Sequence, residues 1–158
     1  MAKRLLLNIL LMLVWVALTG AFTFVNFGFG FFLSFILMWA INIGGDDNSY
    51  FTRVPKVILF ILYFLKEMVK ANLEVAYEVI TPRLTVKPGI VAVPLDAKSD
   101  FEITLLANLI TLTPGTLSLD VSDDKKVLYV HSMYVTDKDA FIDSIKNGFE
   151  KRMLEITR

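Results

Sequence analysis

The residues with most capacity for chemistry lie mid-chain, where Lys66, Glu67, Lys70, Glu74 and Glu78 follow the uncharged run Val57 to Leu65. Lys66, Lys70, Glu74 and Glu78 recur every four residues, so a helix stacks them into one stripe, with Glu67 at its border. Beside a membrane such groups are candidates for contacts with a partner or for shaping a local field; facing water they do neither. The sole histidine, His131, sits mid-strand between Val130 and Ser132. General acid–base work would need a cleft and a positioned carboxylate, whereas Asp120, Asp123 and Asp124 belong to a turn that points to water. His131 is therefore read as structural. Ser99 or Ser118 could be drawn into a triad with it, but no G-x-S-x-G elbow is present, nor any glycine-rich phosphate loop. The acidic turn Asp120–Asp124 is too short for a calcium loop and lacks its closing glutamate. With no cysteine and one histidine, neither thiolate nor multi-histidine metal sites can form. No enzyme activity, cofactor or metal is expected.

The most distinctive stretch is Leu109-Ile110-Thr111-Leu112-Thr113-Pro114-Gly115-Thr116. Proline presets the first central residue of a type II turn and glycine supplies positive φ at the second, so Thr113–Thr116 should end a helix and start a strand abruptly. Its threonines can bond the freed carbonyls. The pattern predicts a rigid corner.

The elements that hold these groups fall into unlike parts. From Leu5 to Gly45 there is no Asp, Glu, Lys or Arg, a run too long to hide in a soluble domain of this size. It is long enough for two bilayer crossings at about 20 residues each. Leu5–Phe22 and Phe27–Ile43 are expected as a hairpin of helices, with the break between Thr23 and Gly30. A cleaved signal peptide and a single long bent helix are weaker alternatives: Leu18–Ala21 is a poor cleavage site, a second apolar run follows at once, and nearby glycines interrupt the segment. Lys3 and Arg4 place the N-terminus in the cytoplasm, and the basic residues from Arg53 to Lys87 place the chain there again after two crossings. Within its two spans the hairpin carries only Asn8, Thr19, Ser34 and Asn42 as amide or hydroxyl side chains, too few to hold a transported ion by itself.

Gly44–Ser49 is a polar linker. Pro55–Ile80 is an amphipathic helix with a broad apolar face; it lies along the membrane surface or crosses at a slant. The division expected is residues 1–45 as a transmembrane hairpin, 46–82 as linker and amphipathic helix, and 83–158 as a small cytoplasmic α/β domain of order β-α-β-β-α. Its strands are Leu84–Lys87 and Ile90–Leu95 about a Pro88-Gly89 turn, then Leu117–Val121 and Val127–Val135. Its helices open at the capping box Ser99–Glu102 and at Thr136–Asp139. An antiparallel hairpin under two helices is the expected packing. Sixteen basic residues against 16 acidic ones argue against a nucleic-acid partner.

The run from Leu105 to Val121, with Leu128-Tyr129-Val130-His131, closely resembles the signature of the E subunit of Mrp-type (also Mnh or Pha) multisubunit Na⁺/H⁺ antiporters. Phe64–Glu67, Ala71-Asn72 and Pro88–Val91 are similar to the family as well. The likeness covers nearly the whole chain, although the hairpin matches in character only and the Gly44–Ser49 linker is acidic where a basic loop is expected. The resemblance implies a non-catalytic subunit needed for assembly and activity of a complex that exports Na⁺ in exchange for H⁺, with the other subunits and the bilayer as partners. Asn108, Thr111, Thr113, Pro114, Gly115 and Thr116 would then be structural or subunit contacts, and Lys66, Glu67, Lys70, Glu74 and Glu78 charged contacts near the membrane. A hydrogenase-like complex with an antiporter module is an alternative setting. A free-standing membrane-anchored binding module and, more remotely, a homo-oligomeric pore are the competing classes.

Overall fold

The computed structural model describes residues 2–41, 49–82 and 86–158. They form two compact units, Met1–Lys56 and Val57–Arg158. In the first, α1 (Ala2–Thr19) and α2 (Phe24–Ile41) pack as a pair, joined by the opening turns of α3 (Ser49–Ile80). Among the described residues, one helix, α2, is long and apolar enough to cross a membrane by length and composition.

The break between α1 and α2 lies at Gly20–Thr23, earlier than the residue types suggest. Gly20 takes φ +65°, which glycine alone adopts without strain, and ends α1. Thr23 then accepts from the Asn26 amide at 3.3 Å and caps α2. Asn26, Gly28 and Gly30 therefore sit inside the helix. Asn26 clamps the turn, accepting from Trp15 Nε1 at 3.0 Å and donating to Thr19 Oγ1 and the Ala21 carbonyl, both at 2.7 Å. Gly30 admits the Trp15 ring: a Cβ there would fall 2.9 Å from Cδ1.

α3 also starts earlier than expected, at Ser49, and Pro55 lies within it. Tyr50 and Phe51 are buried against Phe35, Val54 and Met38, and Tyr50 Oη accepts from buried Asn8 at 2.7 Å. This packing stabilises two turns ahead of the proline. Residues Gly44–Asn48 of the expected linker lie outside the described residues.

The second unit carries a three-stranded antiparallel sheet, β1 (Gly89–Pro94), β2 (Thr116–Val121) and β3 (Val127–Ser132), in the order β1-β3-β2. One face is covered by α4 (Asp100–Thr111) and by a terminal helix made of α5 (Lys138–Asp143), a π-helical stretch Ser144–Glu150 and α6 (Lys151–Thr157). Val91, Val93, Leu128 and Val130 alternate onto this face and meet Ile103, Leu106, Ile110, Ile145 and Met153. The expected α/β tail is present, but not every turn. Gly89 belongs to β1, opposite Ser132, and has no positive φ, so Pro88-Gly89 is not a type II turn. Of the strand expected at Leu84–Lys87, residues 84 and 85 are outside the described set; Lys87 makes a single parallel bridge to Tyr134.

Both predicted helix starts are capped. Ser99 accepts from the Glu102 amide at 3.2 Å while Glu102 accepts from the Ser99 amide at 3.2 Å. Asp137 caps the terminal helix through the Asp139 and Ala140 amides. Glu102 also meets Arg158 Nε at 3.2 Å, tying α4 to the chain end. The Arg158 bonds and the Lys98 and Ser99 amides hold its carboxyl down at about 2.

Candidate functional site

α4 ends at Thr111, and the chain turns between Thr113 and Thr116, where the Thr116 amide donates to the Thr113 carbonyl at 3.2 Å. Gly115 has φ +86°, as the Pro-Gly type II pattern requires. Two hydroxyls fill the inside of the corner. Thr113 Oγ1 and Thr116 Oγ1 each stand 2.6 Å from the Ile110 carbonyl and 2.7 Å from one another. The Asn108 carbonyl accepts from Leu112, Thr111 Oγ1 accepts from the Ser118 amide at 3.2 Å, and Ser118 donates to the Ala107 carbonyl. The Met133 amide donates to the Gly115 carbonyl at 2.8 Å, fixing the corner to the end of β3.

From Val57 onward, α3 lies in the same unit and lays its acidic side against this corner. Glu67, Ala71 and Glu74 line one wall of a cleft of ≈ 190 Å³, and Thr113, Pro114 and Tyr134 line the other. Glu78, one turn further on, is buried and accepts from the Val86 amide at 3.1 Å. The Tyr134 hydroxyl is buried without a hydrogen-bond partner among the described residues. Burial, reinforced by the negative charges of Glu78 and Glu74, raises its pKa, so it stays a protonated donor.

The stripe is thus not one surface. Glu67 and Glu74 border the cleft and Glu78 is buried, while Lys66 and Lys70 stay exposed; Lys70 reaches Glu74 only at 3.8 Å, an exposed pair of little weight. The acidic side needs the tail's covering, which helix periodicity within α3 cannot reveal.

α3 is also held by a contact that local sequence patterns did not announce. Tyr63 and Phe64 pack edge-on against Phe149, with ring centroids 5.6 and 6.4 Å apart, and the Arg152 guanidinium lies 4.3 Å from the Tyr63 centroid. A Cβ on Gly148 would fall 2.6 Å from Tyr63 Oη. The π-helical stretch around Gly148 also carries buried Glu150, which accepts from the Asp96 and Ala97 amides at 2.6 and 2.9 Å. A glycine inside an otherwise helical pattern was the one available signal.

Other candidates are structural. His131 stands on β3 opposite Ile90 and Leu117, away from the Asp123–Asp124 turn. Ser99 is a helix cap and Ser118 a bond to α4. Among the described residues, no group of three or more His, Asp or Glu is placed to hold a metal. The cleft is smaller than the roughly 300–1,000 Å³ typical of small-molecule pockets.

A family model described as Na⁺/H⁺ ion antiporter subunit matches residues 8–156. The Na⁺/H⁺ antiporter E subunit of Alkalihalophilus pseudofirmus is 39% identical over all of both chains, and that of Bacillus subtilis 35% identical over all of both. Among solved structures, a chain of the Mrp complex from Dietzia sp. shares 32% identity over 65% of this chain and 96% of that one, with TM-score 0.50. A chain of the archaeal membrane-bound sulfane sulfur reductase, a respiratory membrane complex, shares 31% identity over 99% of both, with TM-score 0.60.

Proposed function

This chain belongs to the family of Na⁺/H⁺ antiporter E subunits, and we infer that it serves as a non-catalytic small component of a multisubunit antiporter that exports Na⁺ in exchange for H⁺. The single observation that carries this is likeness to the E subunits along the whole chain, from hairpin to tail. The chemistry agrees: the uncharged hairpin has too few polar groups to bind and release a cation. It acts as a part, not a transporter.

Within that reading, α1 and α2 cross the membrane as a hairpin, and both the N-terminus and the tail face the cytoplasm. The lack of charge from Leu5 to Gly45 and the basic residues on either side support this. The corner at Thr113–Thr116 is a subunit contact. Its cleft offers the carboxylates of Glu67 and Glu74 to a basic or amide-bearing side chain of a neighbouring subunit.

Affinity purification from native membranes in mild detergent tests the subunit reading, and recovery of large antiporter-like subunits is the expected result. Recovery of the chain alone, under detergents that spare such complexes, would refute it. Pro114→Ala or Thr113→Val should lower complex yield or Na⁺/H⁺ exchange in everted vesicles, and normal values for both would remove the corner's role as a contact. The near-complete match to a sulfane sulfur reductase chain favours a second setting, an antiporter module within a respiratory complex. Redox subunits in the same purification would establish it.

A further inference from the structure

We propose that the outer face of α3 between Ile58 and Ile80 lies along the bilayer surface, and that Lys66 and Lys70 bind the phosphates of anionic lipid headgroups there. The proposal rests on the reading of this chain as a membrane subunit and adds a lipid site to it. Ile58, Leu62, Leu65, Val69, Leu73 and Ile80 follow one another at helical steps of three, four and seven residues, and each is between 43% and 81% exposed. The strip they form is about 33 Å long at 1.5 Å per residue. Soluble surfaces rarely leave so continuous an apolar patch open.

Charge decides what covers it. Of the acids of α3, Glu67 lies at the cleft, Glu78 is buried, and Glu74 stands between the cleft and the outer groove. Lys66 and Lys70 flank the strip with Val69, Leu73 and Tyr77 in a shallow groove, whose far edge is Glu74, 3.8 Å from Lys70. A surface that is apolar in the middle and carries two lysines against one glutamate along its margin has a net positive edge that complements an anionic leaflet. Lysine stems can lie on the acyl region while the ammonium groups meet phosphate, and tyrosine favours that depth. A slanted crossing would instead carry Lys66, Glu67 and Lys70, which sit in the middle of the Val57–Ile80 stretch, through the hydrocarbon. A lipid surface fits where a span does not.

The chain has no cysteine, so single spin labels at Leu62→Cys, Val69→Cys and Leu73→Cys report depth cleanly, with Phe32→Cys on α2 as the hairpin control. The full chain, with whatever subunits co-purify, is reconstituted in vesicles of phosphatidylglycerol and phosphatidylcholine. Oxygen and nickel-chelate accessibilities should place the three strip labels at one shallow depth, with the Phe32 label deeper. Depth changing steadily from position 62 to 73 would overturn the proposal for a slanted span. Exclusion of both oxygen and nickel would overturn it for a protein partner. A Phe32 label outside the bilayer would instead fail the membrane-subunit reading itself. A fluorophore at position 69 should be quenched more by brominated phosphatidylglycerol than by brominated phosphatidylcholine. That preference should fall about fivefold per lysine in K66Q and K70Q and survive in K66R and K70R. Equal quenching by the two lipids would overturn the phosphate contact.

Discussion

Replacing Thr116 with valine removes one hydroxyl from the corner while nearly keeping its shape. That hydroxyl stands 2.6 Å from the Ile110 carbonyl, 2.7 Å from Thr113 Oγ1 and 2.9 Å from the Thr113 carbonyl. With one proton it can donate one bond, so the variant loses one donated bond and one accepted bond at most. At about 0.5–1.5 kcal/mol net per bond, the cost is about 1–3 kcal/mol. The Ile110 carbonyl is not orphaned, because the Thr113 amide still reaches it at 3.1 Å, which argues for the lower end. Thr113→Val loses a similar amount. The double variant should cost less than the two together, because the bond between the hydroxyls is lost only once. The shortfall should be about 0.5–1.5 kcal/mol.

Hydrogen exchange of the full chain in detergent micelles reads this locally, at the Thr116 and Ser118 amides that close the corner. Each single variant should lower their protection about fivefold to tenfold, with α2 amides unchanged as the control. Single variants that exchange like the parent would refute the hydroxyl network as a source of rigidity. Strict additivity in the double variant would refute the shared bond.

Three further outcomes follow from the same packing. Because the Glu102 carboxyl is held down to about 2 in the folded chain, it stabilises the fold above the ordinary carboxylate range. That contribution should drain away as pH falls from about 4.5 towards 2; acid unfolding followed by circular dichroism should lose this slope in E102Q. Gly30→Leu would drive a side chain into Trp15, with an overpacking cost of about 1–3 kcal/mol. In a Trp39→Phe background, a Trp15 emission spectrum unlike the parent's is expected, and an identical spectrum would contradict the close approach. Gly148→Ala should push Tyr63 off the terminal helix and raise hydrogen exchange along α3 from Phe60 to Ala71, leaving the α1–α2 pair as before.

What was legible in the chain was local. The capping box at Ser99–Glu102, the Asp137 cap and the turn at Pro114-Gly115 each depend on a few adjacent residues, and each is present. The second Pro-Gly shows the limit. At Gly89 the β1–β3 ladder takes the glycine, and Val135 packs so close that a Cβ would sit 3.3 Å from its Cγ2. Tertiary pairing overrides turn chemistry there. The same holds for Asn26: its type suggests a break, but its side chain satisfies Trp15 and Thr19 from within α2. The π-helical stretch ends at Glu150, whose carboxylate accepts from the Asp96 and Ala97 amides, about fifty residues away in sequence, and no local window contains that partner.

The stripe on α3 carries the same limit over to function. Four residues spaced by four look like a single wetted face, yet each step turns the helix about 40° further, so the first and last members differ by a third of a turn. That drift is what separates exposed Lys66 from buried Glu78. A helix with strict 3.6-residue spacing of its charges could show them all to one neighbour. This spacing divides them between two, the basic end to an outer surface and the acidic end to the tail. The Thr113–Thr116 corner stands at the second of those surfaces, opposite Glu67 and Glu74.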